Sequence, residues 1–222
     1  MARKLLIRSQ GNPYHVTIRA NNRELFPIDP FAIWKVFCDL FFETHVLFRT
    51  QPHAFVMMPN HIHLLITTPQ EDLGKVMQHW IGSGTRTVNL ISGRSGRIFG
   101  ARYHWTLIDN PIYFMHAFKY VYRNPVKANL CAQAQLYPFS TLQFALGTQI
   151  TSFPIWYAFQ QKQWIGIPNT DPELLEWINT PFISEHEKAI QLSLKRTRFE
   201  TPKIGRKRTP FNFGVNLPAQ NQ

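Results

Sequence analysis

Two histidines separated by a single apolar residue, His61-Ile62-His63, could hold a divalent ion from a β-strand. Side chains at i and i+2 leave the same face of a strand about 6–7 Å apart at the backbone, so both imidazoles can converge while Ile62, Leu64 and Ile66 pack on the other face. The runs Ala54 to Met58 and Leu65 to Thr67 are apolar or β-branched, and Met58-Pro59-Asn60 reads as a turn. This predicts a hairpin whose second strand displays His61 and His63 near its start. The same spacing also occurs in exposed or hydrogen-bonded pairs, and two imidazoles do not complete a metal site.

A third group is suggested further along the chain. Asn110-Pro111 is a helix-start signal, and the following run Ile112 to Arg123 carries Tyr113, His116 or Ala117, Tyr120 and Asn124 along one side at helical spacing. Tyr120 and Asn124 are i and i+4, which puts a phenol and an amide oxygen one turn apart. Tyr122 points to roughly the opposite side. Pro125 disfavours a helical conformation at the residue before it, so the Tyr120–Asn124 spacing is open to distortion.

These residue types fit phosphoryl transfer at a nucleic-acid backbone. An ion held by His61, His63 and the Asn124 oxygen would polarise a phosphate oxygen and offset charge in the transition state. Tyr120 would attack phosphorus, forming a phosphotyrosine and releasing a 3′ hydroxyl. Such an ester preserves the phosphodiester energy, so the same residues could cut and rejoin without ATP. A phenol with a pKa of about 10 is mostly neutral, so the site must lower that pKa or supply a base. The ligand types leave Mg2+ and Mn2+ both open.

The same residues carry a family resemblance. Met58-Pro59-Asn60-His61-Ile62-His63-Leu64-Leu65 resembles the histidine-hydrophobe-histidine signature of the IS200-like single-tyrosine HUH transposases. Tyr120-Val121-Tyr122-Arg123-Asn124-Pro125-Val126-Lys127-Ala128 is similar to that family's tyrosine helix, especially in its REP-associated tyrosine transposase branch. Pro13-Tyr14-His15-Val16-Thr17-Ile18-Arg19 resembles the opening strand, and Tyr137-Pro138-Phe139-Ser140-Thr141 the segment after the tyrosine helix. The four pieces stand in family order. The resemblance implies an α+β fold, with a ferredoxin-like antiparallel sheet flanked by helices. It also implies His61, His63 and Asn124 as metal ligands, Tyr120 as nucleophile, and single-stranded DNA with a foldback hairpin as substrate. Either one chain completes its own site or two protomers of a homodimer exchange tyrosine helices.

Composition agrees with a polyanionic partner. The chain has 24 Lys and Arg against 13 Asp and Glu, a net charge of +11, which favours nucleic acid through steering and counterion release. Between His79 and Lys127 the only acid is Asp109, against Arg86, Arg94, Arg97, Arg102, Lys119, Arg123 and Lys127. These seven are candidate DNA contacts. Phe99, Tyr103 and Trp105 lie among them and could stack unpaired bases, although core aromatics beside a solvated basic face would look the same. Gly82-Ser83-Gly84 and Gly93 to Arg97 read as breaks and a mobile basic loop, lacking the lysine-serine ending of a phosphate-cradling loop.

The organisation predicts a catalytic domain over 1–146, a small helical extension over 147–194 and a basic, disordered tail over 195–222. Within the first part, Pro30 to Thr44 is expected as a helix, His45 to Arg49 as a strand, and Glu71 to Ile91 as a helix frayed by its glycines. Phe153 to Ile167 is rich in aromatics, and Asp171 to Asn179 and Ser184 to Leu194 read as short helices. Cys38 and Cys131 are expected as buried free thiols. Leu5-Leu6-Ile7 is too short for a signal peptide, and Lys35 and Asp39 break the apolar stretch from Phe31 to Phe42. A cytoplasmic, nucleoid-associated location without a membrane partner follows as the expectation.

A rival enzyme reading uses other histidines. His15-Val16-Thr17-Ile18 and His104-Trp105-Thr106-Leu107 match the paired His-x-Thr-apolar motifs of the 2H phosphoesterases, which use two histidines as acid and base without metal. A third reading is a hairpin-binding protein whose catalytic site is idle.

Overall fold

Alternation along the strand that begins at His61 sets the architecture. Ile62, Leu64 and Ile66 share one buried cluster, whereas Leu65 belongs to a second cluster on the other face, as a side-chain period of two requires. The molecule, described from a computed structural model, comprises residues 5–70, 72–148, 167–168 and 170–200, with the backbone of 203–204 and 207–208. Its elements run β1 (Tyr14–Arg19), α1 (Pro30–Phe48), β2 (Gln51–Met58), β3 (His61–Thr67), α2 (Leu73–Ser92) and β4 (His104–Leu107). Helices α3 (Pro111–Lys127), α4 (Leu142–Ala145), α5 (Asp171–Asn179) and α6 (Ser184–Ser193) follow, then the two-residue strands β5 (Lys203–Ile204) and β6 (Lys207–Arg208).

The first four strands form an antiparallel sheet in the order β2-β3-β1-β4. Read with its two helices, this is the βαββαβ arrangement of a ferredoxin-like fold. One face packs on α1 and α2 through Phe37, Phe41, Phe55 and Trp80. The other packs on α3 through Val56, Leu65, Phe118 and Val121, and this core continues into α5 and α6 through Leu174, Ile178 and Ile190. The C-terminal helices therefore extend the α3 layer. Both outer edges of the sheet are covered. Phe139 to Thr141 pairs along β2, with Met57 N–H donating to Phe139 O at 2.9 Å and Thr141 N–H to Phe55 O at 2.9 Å. Along β4, Leu107 N–H donates to Thr197 O and Phe199 N–H to Leu107 O, each at 2.9 Å. Such cover removes the open rows of backbone donors and acceptors that invite edge-to-edge pairing.

Three sequence expectations change. His45 to Phe48 is the last turn of α1 and not a strand; the helix ends at Arg49, which takes the left-handed conformation with φ 52° and donates its N–H to His45 O. Helix α2 runs unbroken through its glycines. At Gly84 a Cβ would lie 2.4 Å from the Phe37 ring, so this glycine permits close approach of α1 to α2. Finally, residues 195–200 are docked on β4 rather than forming a free arm, with Phe199 buried against Tyr113. Most of the aromatic run from Phe153 and the basic residue Arg206 fall outside the described residues.

Candidate active site

The β2–β3 turn and β1 place the paired histidines. Asn60 closes the two-residue turn, and its Oδ1 accepts a hydrogen bond at 2.7 Å from the Nδ1–H of His61 in the tautomer that makes this bond. Its Nδ2 donates to Arg23 O at 2.8 Å, so the group that orients His61 is itself fixed. On β1, Thr17 lies opposite His63 and Arg19 opposite His61, putting His15, Thr17 and Arg19 on the face of the histidines. His15 Nε2 is 3.0 Å from His63 Nδ1. Both metal-candidate imidazoles thus have Nδ1 engaged, and among the described residues neither Nε2 makes a hydrogen bond. Their rings are 5.0 Å apart, centroid to centroid.

Helix α3 brings the phenol to this face. Asn110 caps it, accepting from Ile112 N–H at 2.9 Å, and Pro111 opens the first turn. Tyr120 packs edge-to-face on His63, with ring centroids 5.9 Å apart and planes at 86°. Tyr122 lies on the core side, where its hydroxyl meets Thr141 Oγ1 at 3.0 Å. The helix continues through Pro125. Because proline has no N–H to donate to Val121 O, the Asn124 amide partly replaces it, its Nδ2 lying 2.9 Å from Tyr120 O and 3.5 Å from Val121 O. This use of the amide nitrogen leaves Oδ1 without a hydrogen bond among the described residues.

Electrostatics keep the imidazoles neutral and the phenol protonated. Burial and the nearby Arg19 charge hold His61 down at about 4. Burial, then His15, His61 and Arg19, hold His63 well below the ordinary histidine range. Neutral imidazoles are the form that binds metal. Tyr120 is pushed up to about 12 by burial and the Glu187 carboxylate, against a smaller pull from Arg19. The surrounding protein therefore supplies the opposite of the lowering that a tyrosine nucleophile needs.

Among the described residues no three His, Cys, Asp or Glu side chains form a metal cluster. The donor set that fits a divalent ion is two neutral imidazoles with free Nε2 atoms, supplemented by an amide oxygen or water. Asn124, one turn after Tyr120 on α3, has its Oδ1 without a hydrogen bond among the described residues.

The seven basic candidates divide. Arg86, Arg94, Arg97 and Arg102 are exposed on α2 and the α2–β4 connection. The three on α3 are committed to protein. Lys119 is buried, its ammonium 5.1 Å from the Trp177 ring centroid and 4.9 Å from that of Phe182, and burial with the Arg123 charge lowers it to about 8. Arg123 donates to Ile178 O and Asn179 O at the end of α5, and Lys127 pairs with Glu187 at 2.7 Å. These contacts fasten α3 to α5 and α6; Lys119 is buried and Arg123 half-buried, whereas Lys127 stays exposed while paired with Glu187. Of the rival pair, His15 is buried with Nε2 on His63, and His104 Nε2 meets Lys195 O at 3.0 Å. They do not present two open nitrogens to a substrate.

Sequence reasoning assigned no role to Arg19, Asn60 or Glu187. Arg19 and Asn60 stand inside the quoted motifs, and strand alternation with register would have found Arg19. Glu187 comes from α6, and no local signal connects it to Tyr120.

No family model and no curated protein matches the sequence. Among solved structures, a REP-associated tyrosine transposase bound to a REP hairpin aligns with 83% of this chain and 100% of its own, at 19% identity and a TM-score of 0.59. The chain shares the fold of that transposase. A candidate transposase from Deinococcus radiodurans R1 aligns with 68% of this chain and 98% of its own, at 14% identity and a TM-score of 0.37. Among the described residues no helix is long and apolar enough to cross a membrane.

Proposed function

We propose that this chain is a REP-associated tyrosine transposase-like enzyme that cuts and rejoins single-stranded DNA beside a hairpin. The observation that carries the reading is the packing of Tyr120 against His63 within one chain. Because the phenol packs on His63 within one chain, this reading uses Tyr120 in cis. The solved transposase of the same fold, bound to a REP hairpin, makes hairpin DNA the substrate class to test.

In this reading His61 and His63, with Asn124 Oδ1, hold Mg2+ or Mn2+, which when bound supplies positive charge to a non-bridging phosphate oxygen. Tyr120 Oη attacks phosphorus; the Oη–P bond forms, the bond from phosphorus to the 3′ oxygen breaks, and that oxygen gains a proton as the phenol loses one. Rejoining is the reverse, with a 3′ hydroxyl as nucleophile and tyrosine as leaving group. Arg19, exposed beside His61, serves the backbone phosphate and favours the phenolate. Arg86, Arg94, Arg97 and Arg102 hold the flanking strand through phosphate contacts.

The test is a labelled single-stranded hairpin incubated with Mn2+ or Mg2+. His61→Ala and His63→Ala are expected to abolish cleavage while leaving hairpin binding within about threefold of the parent, because ligand loss removes charge from the reacting phosphate and not from the binding surface. Cleavage at the parental rate in both variants, or in EDTA, would remove them as ligands.

A further inference from the structure

We infer that His15 is a positioning residue: its Nε2 is the hydrogen-bond acceptor that lets His63 carry its proton on Nδ1 and keep the Nε2 lone pair for a metal. The inference rests on the functional reading above only for the identity of what His63 binds. The tautomer itself is a property of the metal-free chain.

His15 and His63 come from adjacent strands, β1 and β3, with Nε2 and Nδ1 3.0 Å apart and rings 26° from coplanar. Both are buried, at 1% and 6% exposure. A neutral imidazole holds one proton, so one contact between two neutral rings has two arrangements. If His15 donates from Nε2, His63 must carry its own proton on Nε2 and has no lone pair there. If His63 donates from Nδ1, its Nε2 is open, as metal ligation demands. Only the second arrangement competes for an ion. It leaves the His15 proton on Nδ1, a buried atom that makes no hydrogen bond among the described residues. The metal-ready form therefore carries a cost that an acceptor without that proton would not.

Replacement of the acceptor separates this role from packing. In His15→Leu, the His63 Nδ1–H would be buried without a partner, which shifts the ring toward the Nε2–H tautomer. Gln offers an Oε1 acceptor near the position of Nε2 and carries no tautomeric proton, so His15→Gln should restore the ligand-ready form.

The experiment uses the full chain in two arms. Imidazole 15N chemical shifts of His63 in the metal-free protein report its tautomer, and Mn2+ titration calorimetry reports affinity. The expected results are a larger Nδ1–H fraction in the parent and His15→Gln than in His15→Leu, and Mn2+ affinity on the order of tenfold weaker in His15→Leu but regained in His15→Gln. An unchanged His63 tautomer in His15→Leu, or His15→Gln behaving like His15→Leu, would overturn the proposal. If His15→Leu does not fold, the comparison of parent with His15→Gln decides: a fall in the His63 Nδ1–H fraction in His15→Gln overturns it, and an equal or larger fraction supports it. Failure of the parent to bind Mn2+ or Mg2+ would instead remove the metal from the functional reading, with the tautomer arm still deciding the part of His15.

Discussion

Burial first, and Glu187 after it, make Tyr120 hard to ionise. The Glu187 carboxylate, brought by α6, adds to burial in raising the phenol, while Arg19 works in the other direction. A raised pKa means that less phenolate is present at neutral pH, so removing the negative charge must move the balance downward. Glu187→Gln is expected to shift the rising limb of the cleavage–pH profile to lower pH and to speed single-turnover adduct formation at pH 7 by on the order of threefold. The variant also breaks the exposed pair with Lys127, a change of about 0–1 kcal/mol in stability. An unchanged profile would show that Glu187 does not act on the phenol. Asn124 illustrates another residue-scale division of labour: its nitrogen repairs the helix that Pro125 interrupts, and its oxygen makes no hydrogen bond among the described residues.

The elements were legible where their signals were local. The β2–β3 hairpin and the start of α3 follow from alternation, the Pro59-Asn60 turn and the Asn110-Pro111 cap, and the structure has them all. His45 to Arg49 misled because an apolar, partly β-branched run of that length fits a strand or a last helical turn equally well; in the structure it closes α1 with Val46 and Leu47 exposed. Gly82 and Gly84 misled because both look like helix breakers, whereas one is a site of contact with another element. That contrast gives a paired expectation. Gly84→Ala gains about 1 kcal/mol of helix propensity but drives a Cβ into the buried Phe37 ring, and overpacking of this kind costs about 1–3 kcal/mol. Urea unfolding should show a net loss. Gly82→Ala meets only the Arg86 guanidinium at 3.6 Å and should raise stability by up to about 1 kcal/mol. Equal shifts in both variants would mean that the α1–α2 approach does not depend on Gly84. The candidate site was half legible for the same reason: His61, His63 and Tyr120 declare themselves by type and spacing, but Lys119 and Arg123 could not reveal from sequence that they would be engaged by α5 and the segment after it.

At the scale of the whole molecule, a +11 chain spends some of its basic residues on holding itself together. Lys119, Arg123 and Lys127 fasten the C-terminal helices, and Arg198 pairs with Asp109 beside β4. Truncation experiments must respect this. Removal of 195–222 strips the cover from β4 and the buried Phe199, so lost binding could reflect damaged structure. Removal of 201–222 leaves that cover and deletes Lys203, Arg206, Lys207 and Arg208. If these four meet phosphate, the slope of log affinity against log salt for single-stranded hairpin DNA should become shallower by roughly 0.7–0.9 per lost contact; an unchanged slope would exclude the segment as a DNA contact. The central claim concerns Tyr120, and its most direct measurement is a denaturing gel of end-labelled hairpin DNA after incubation with Mn2+, followed by mass spectrometry of the linked peptide. The account expects a protein–DNA adduct on the peptide containing Tyr120, lost in Tyr120→Phe with hairpin affinity retained; an adduct that persists in Tyr120→Phe, or maps to another residue, would contradict it.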